Sequence, residues 1–154
     1  KARWEYVNQL CEYLKTKYSS LNLQIIGNGS IFSVEDAISS IKKAPNIDGI
    51  MLGRNAIQKP WLFKQISSAL SNEEFKTEID LFELAIDFMK DIENCQPQEF
   101  WKTRKQRFFI YFCDNFQFGN YLKSQLINND GFEIQKNILQ EYFEKMPSER
   151  FLTI

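Results

Sequence analysis

Apolar residues Trp4, Val7, Leu10, Cys11, Leu14 and Tyr18 recur at intervals of three and four, which predicts an amphipathic helix over 4–18. "SSLN" breaks that pattern. "LQIIGNG" then changes period: a compact apolar run closed by glycine reads as a short buried strand. Ser33-Val34-Glu35-Asp36 approximates a capping box, with Asp where Glu or Gln is usual, and predicts a helix carrying Ala37, Ile38 and Ile41. "KKAPN" ends it. "IDGIMLG", residues 47–53, repeats the glycine-closed strand. Asn55–Leu70 reads as a helix entered through a turn, with Pro60 early and Trp61, Leu62, Phe63, Ile66 and Leu70 facing inward. Residues 1–70 therefore alternate helix, strand, helix, strand, helix, as in parallel α/β proteins.

The pattern changes after "SNEE", where no further strand is predicted. Ile79, Phe82, Ala85, Ile86 and Met89 mark one helix, and 100–112 a second. Residues 119–126 give a third, and 131–146 a fourth with Ile134, Ile138, Leu139, Tyr142 and Phe143. The expected fold class is α/β followed by all-α, with a boundary near Ser71 to Glu74. The two domains are then 1–72 and 73–154, the second a small helical bundle.

Composition narrows the chemistry. The 154 residues are 44% hydrophobic and carry a net charge of −1, so whole-chain charge points to no polyanion. Histidine is absent, which removes His triads and His metal sites from this stretch. Cys11, Cys95 and Cys113 are too widely spaced for a zinc cage or a disulfide framework. Free thiols in a reducing, cytoplasmic setting are the expectation, with no metal. No apolar run approaches the length of a membrane span, so no membrane association is expected.

Two features carry candidate chemistry. "IIGNGS" and "IMLGRNA" each place glycine where a strand passes into a helix. Glycine lets backbone approach a ligand closely, and helix starts favour anions. Either turn alone is equally an ordinary tight connection. Together, on adjacent parallel strands, they would bring Gly29 and Gly53 to the same edge, where the last loops of a TIM barrel often hold phosphate. Arg54 would add a permanent charge there, or form a surface salt bridge.

These residues also carry a resemblance. "IIGNGSIFSVEDA" followed by "IDGIMLGRNAIQKPWLFKQI" is similar to the C-terminal barrel end of the tRNA-dihydrouridine synthases, and the opening "KARWEYV" resembles the segment before it. The likeness is dense from Ala2 to Ile66 and looser beyond. It implies the last two βα units of a TIM barrel, then a helical tRNA-binding domain. It also implies FMN as cofactor, NADPH as its reductant, and reduction of uridine in tRNA to 5,6-dihydrouridine. Family contacts to the flavin phosphate map onto Asn28, Gly29, Ser30, Gly53 and Arg54. Two positions depart from the family: Ser30 stands for an Asp, and Asn55 for a Gly, where Asn best tolerates a left-handed backbone.

The family's proton-donating cysteine lies in an upstream loop that none of the three cysteines matches, so no residue here is assigned catalysis. The chain is expected to be the C-terminal part of a longer enzyme, inactive by itself.

In the second half, residues 71–99 hold nine acidic and two basic side chains, whereas 101–125 hold Lys102, Arg104, Lys105, Arg107 and Lys123 against Asp114 alone. Aromatics interleave with the bases. Lys102, Arg104, Lys105 and Arg107 are candidate RNA contacts, with Lys102, Lys105 and Arg104 placed on one side. The same bases also suit a solvated face, and the aromatics a core. Another FMN-dependent barrel oxidoreductase, akin to dihydroorotate dehydrogenase, shares the glycine turns. A non-catalytic RNA-binding scaffold with a decayed barrel shares the basic helix.

Overall fold

Short parallel strands, helices that cover them and a separate set of helices make up the computed structural model, which describes residues 2–154. Contacts divide the chain into two units, one running to Phe75 and the other spanning Lys76–Ile154.

The first unit is α/β. Helix α1 (Trp4–Lys17) leads through a left-handed Asn22 to β1 (Ile26–Asn28). Helix α2 (Val34–Lys43) follows, then β2 (Gly49–Met51), α3 (Asn55–Gln58) and α4 (Leu62–Leu70). Strands β1 and β2 pair in parallel, with Ile26 opposite Gly49, Gly27 opposite Ile50 and Asn28 opposite Met51. The near-capping box forms: Ser33 Oγ accepts from the Asp36 amide at 3.2 Å, and Asp36 reaches back to the Phe32 amide at 3.1 Å. The expected single helix over 55–70 is two helices. Pro60 forces its predecessor out of the helical region, so Lys59 ends α3 at φ −136° and ψ 70°.

Trp4, Ile31, Ala37, Ala44, Leu52, Leu62 and Ile66 form the core of this unit. Trp4 explains why glycine stands at 27. Its ring lies so close to the Gly27 backbone that a Cβ there would overlap it. Asp48 secures the entry to β2: one carboxylate oxygen takes Lys15 Nζ at 2.8 Å and the other takes the Ile25 amide at 2.8 Å. The Lys15 bond first, then the amide, hold this carboxyl below its ordinary pKa. The opposite face of the sheet is bare, with Ile26 56% and Met51 50% exposed. Parallel strands are ordinarily covered on both faces.

The second unit holds α5 (Leu81–Cys95), α6 (Gln98–Phe112), α7 (Gly119–Asn128) and α8 (Phe132–Lys145). Helix α5 packs on α6 and α8, and α7 on α6 and α8. Phe88, Phe108, Phe112, Phe116 and Phe143 stack in sequence through the centre, at centroid spacings from 4.0 to 5.5 Å. The aromatics at 108, 109, 112 and 116 are thus core.

One element departs from the all-helical expectation. Strands β3 (Glu78–Asp80) and β4 (Phe151–Thr153) pair antiparallel, joining the two ends of the unit. Each is a single triplet, too short for a period of two to stand out. Asp80 ties this ladder to α5. Its Oδ1 accepts from the Phe82 and Glu83 amides at 2.9 and 3.3 Å, capping the helix, and both its oxygens receive Arg150.

Burial alone would raise the Asp80 pKa, but the bond from Arg150 and the two amides outweigh it and hold the carboxyl below its ordinary value. A depressed folded pKa gives stability that is present above the unfolded value near ~3.9 and lost as pH falls through the folded one. Asp80→Ala is therefore expected to destabilise by at least about 1 kcal/mol at pH 7, the usual worth of a cap. The gap to wild type should narrow at pH 3. Urea denaturation at both pH values checks this, and an equal gap at both would refute it.

Candidate functional site

The parallel register decides where the two glycine turns go. Because Asn28 lies opposite Met51, the chain leaves β1 and β2 at the same level, and both turns open into one pocket of about 250 Å3. Asn28, Gly29, Ser30, Gly53 and Arg54 all line it, joined by Ile31, Phe32, Met51 and Asn55. Every residue of the expected phosphate clamp is thus brought together.

The two glycines serve different ends. Gly29 has φ +129°, a conformation that side chains rarely adopt, and an added Cβ would also press on Ala2. Gly53 has no such backbone, and a Cβ there would meet nothing within 4 Å. Its lack of a side chain leaves open space at the pocket. Ser30 itself sits at φ +56°, a left-handed position that Asp and Asn enter more readily. Its Oγ accepts from the Ala2 amide at 2.9 Å, so its own hydroxyl hydrogen remains to be donated.

Asn55 corrects the expectation of a left-handed backbone. It is the first residue of α3, 8% exposed, and its side-chain amide donates to the Ile31 carbonyl. The second turn is thereby tied to the first, a link between positions 24 residues apart that no local signal discloses.

Arg54 is exposed and, among the described residues, has no ion-pair partner. A cation left without a carboxylate beside two backbone turns suits an anion. At about 250 Å3 the pocket falls short of the ~300–1,000 Å3 of complete ligand sites, and has the scale of a subsite for one group such as a phosphate.

The basic helix is rearranged relative to expectation. Lys102, Arg104 and Arg107 are exposed, but Lys105 is 2% exposed and so leaves the candidate RNA surface. Its position lies in the apolar arc of α6 with Phe108, Phe109 and Phe112. There Nζ meets Glu93 at 3.1 Å and Asp130 at 3.8 Å. Lys105 thus holds the α7–α8 turn, which is also pinned by Gln106 to the Ile127 carbonyl and by Gln135 to the Leu126 and Asn129 carbonyls.

None of the three cysteines lines the pocket. Burial pushes the Cys113 thiol up to about 12 and also raises Cys11, whose Sγ donates to the Asn46 carbonyl at 2.9 Å. Only Cys95 is exposed. Among the described residues there is no cluster of three metal-ligating side chains, and no helix long and apolar enough to cross a membrane.

These placements have measurable consequences. Lys105→Ala strips both carboxylates of their partner, and is expected to destabilise by about 2 kcal/mol because Glu93 and Asp130 stay partly hydrated. Lys105→Met fills the same space without charge and should recover only a minor part of that loss, as read by urea midpoints; full recovery would disprove an ionic role. In a native thiol titration with a chromogenic disulfide, Cys95 should react first and Cys11 and Cys113 only on unfolding.

Comparison with known proteins supplies the family. The sequence model described as dihydrouridine synthase (Dus) matches residues 1–152. The tRNA-dihydrouridine(47) synthase of Saccharomyces cerevisiae strain YJM789, whose name specifies NAD(P)(+), is 26% identical over 134 residues, covering 75% of this chain and 19% of its own. A probable tRNA-dihydrouridine synthase of Mycobacterium tuberculosis is 30% identical over 84 residues, 54% of this chain and 20% of its own. A tRNA-dihydrouridine(47) synthase-like protein of Xenopus tropicalis is 34% identical over 113 residues, 68% of this chain and 15% of its own. The chain thus spans about a fifth or less of the length of these relatives.

Proposed function

The chain belongs to the dihydrouridine synthase family, and on that premise we propose that it is the C-terminal region of an FMN-dependent tRNA-dihydrouridine synthase. In this reading the first unit supplies the last two βα units of the flavin-binding barrel, and the second unit grips tRNA.

The observation that carries the proposal is the shared pocket. Two strand-ending turns, one with an arginine that has no ion-pair partner among the described residues, converge on a volume suited to a phosphate. The residues fit that end of FMN. Gly53 leaves the approach open, and the Arg54 guanidinium and Ser30 hydroxyl are donors without competing acceptors among the described residues. Asn55 holds the turns together. FMN, kept reduced by NADPH, would supply the hydride for the uridine C5–C6 double bond. The residues of the pocket would bind and orient its phosphate, and no group in this chain is assigned the proton transfer.

Two further features support the division of labour. The bare face of β1 and β2 is what barrel strands show without their neighbours. The exposed bases of α6 suit a polyanion, with Lys102, Arg104 and Arg107 as contacts and Lys105 as scaffold.

The test compares the whole protein with this chain. Dihydrouridine formation from tRNA, FMN and NADPH is expected from the whole protein and not from the chain alone. Arg54→Ala in the whole protein should weaken flavin retention about 10- to 100-fold, the worth of one charged hydrogen bond. Flavin absorbance unchanged by Arg54→Ala would remove the phosphate assignment. Activity from the chain alone would remove the division.

A further inference from the structure

Helix α6 has an outward face that its own unit leaves largely uncovered. Phe100, Arg104, Arg107 and Tyr111 recur at i, i+4, i+7 and i+11, which aligns them along one narrow stripe. The core arc of the helix, with Lys105, Phe108, Phe109 and Phe112, is centred about a third of a turn away. Phe100 is 45% exposed, Arg104 and Arg107 are exposed, and Tyr111 is half-buried. Among the described residues neither arginine has an ion-pair partner and the Tyr111 hydroxyl makes no hydrogen bond. The helix has one carboxylate, Glu99, set a quarter-turn or so from the stripe.

This order of side chains is informative. An exposed basic face needs no aromatics, and a core needs no arginines. Here two guanidiniums stand between two rings, over a length of roughly 16 Å at 1.5 Å per residue. The guanidiniums suit phosphates. The rings suit flat, apolar surfaces, which nucleic acid offers only where bases are unpaired, because a duplex hides them in its stack.

We propose that the outward face of α6 binds an unpaired stretch of RNA, with Phe100 and Tyr111 stacking on bases and Arg104 and Arg107 neutralising the phosphates between them. The proposal rests on the RNA reading of the second unit and narrows it from a basic patch to a single-strand site. Lys102 lies off the stripe and contributes charge alone.

The experiment measures binding of this chain to a fluorescent ten-nucleotide single-stranded RNA and to the blunt duplex of the same sequence. Phe100→Leu and Tyr111→Leu keep apolar bulk but remove the ring. Each is expected to weaken single-strand binding about five- to a hundredfold, to leave duplex binding as it was, and to leave the melting temperature unchanged. Phe100→Tyr, which restores a ring, should retain wild-type affinity and excludes misfolding as the cause. The double change Arg104→Gln and Arg107→Gln should flatten the salt slope for the single strand by about 1.4, at ~0.7 per phosphate.

Leucine variants that bind the single strand like wild type would overturn the proposal. So would a duplex that competes equally well, or an acidic peptide that displaces the RNA at lower concentration. The two readings fail separately. Dihydrouridine formation by the whole protein, with leucine variants indifferent to single strands, removes this face and leaves the enzyme. Ring-dependent single-strand binding in a protein that forms no dihydrouridine removes the enzyme and leaves the face.

Discussion

Asn28 faces Met51 across two parallel strands of three residues each, and the candidate site depends on that alignment. Parallel strands leave their sheet in the same direction, so only an in-step pair delivers two turns to one place. A slip of one residue would move one turn along the strand and reverse the facing of every side chain on it. Several contacts hold the step. Trp4 fits against Gly27, where no other residue leaves room. Asp48 anchors the Ile25 amide at the far end of the strand, and Asn55 joins the turns at the near end. The pocket is held at both ends of the strand pair although the sheet itself is minimal.

The second unit solves a different problem. Its helices must bury a row of large rings while α6 also carries bases. Phe108, Phe109 and Phe112 take the core arc, and Arg104 and Arg107 take an exposed one beside it. Lys105 falls on the wrong arc for a charge, and two carboxylates from neighbouring segments make its burial tolerable. The basic run of the sequence therefore serves two ends, one inside and one outside.

Much of this organisation is legible in the order of residues. The glycine-closed apolar runs mark both strands, since few other features end a buried run so abruptly. Ser33 and Asp36 mark the start of α2 because a capping box is local chemistry. What escapes is non-local or conditional. The β3–β4 ladder joins positions some seventy residues apart, as Asp80 and Arg150 show, and leaves no periodic trace. The break at Lys59 depends on how strongly one proline acts. Lys105 reads as a surface base by its charge, whereas its helical phase, shared with Phe108, Phe109 and Phe112, places it inside. At Asn55 the tolerance of the backbone draws the eye, but the side chain is the part that matters.

The ladder that closes the second unit has a further consequence. The Thr77 amide donates to the Ile154 carbonyl at 2.9 Å, and the Ile154 amide returns the bond to Thr77 at 3.0 Å. Residues 77 and 154 are thus hydrogen-bonded neighbours, so the stretch between them has the geometry of a cassette that enters and leaves a host chain at one point. Splicing it into a surface loop would cost little closure entropy.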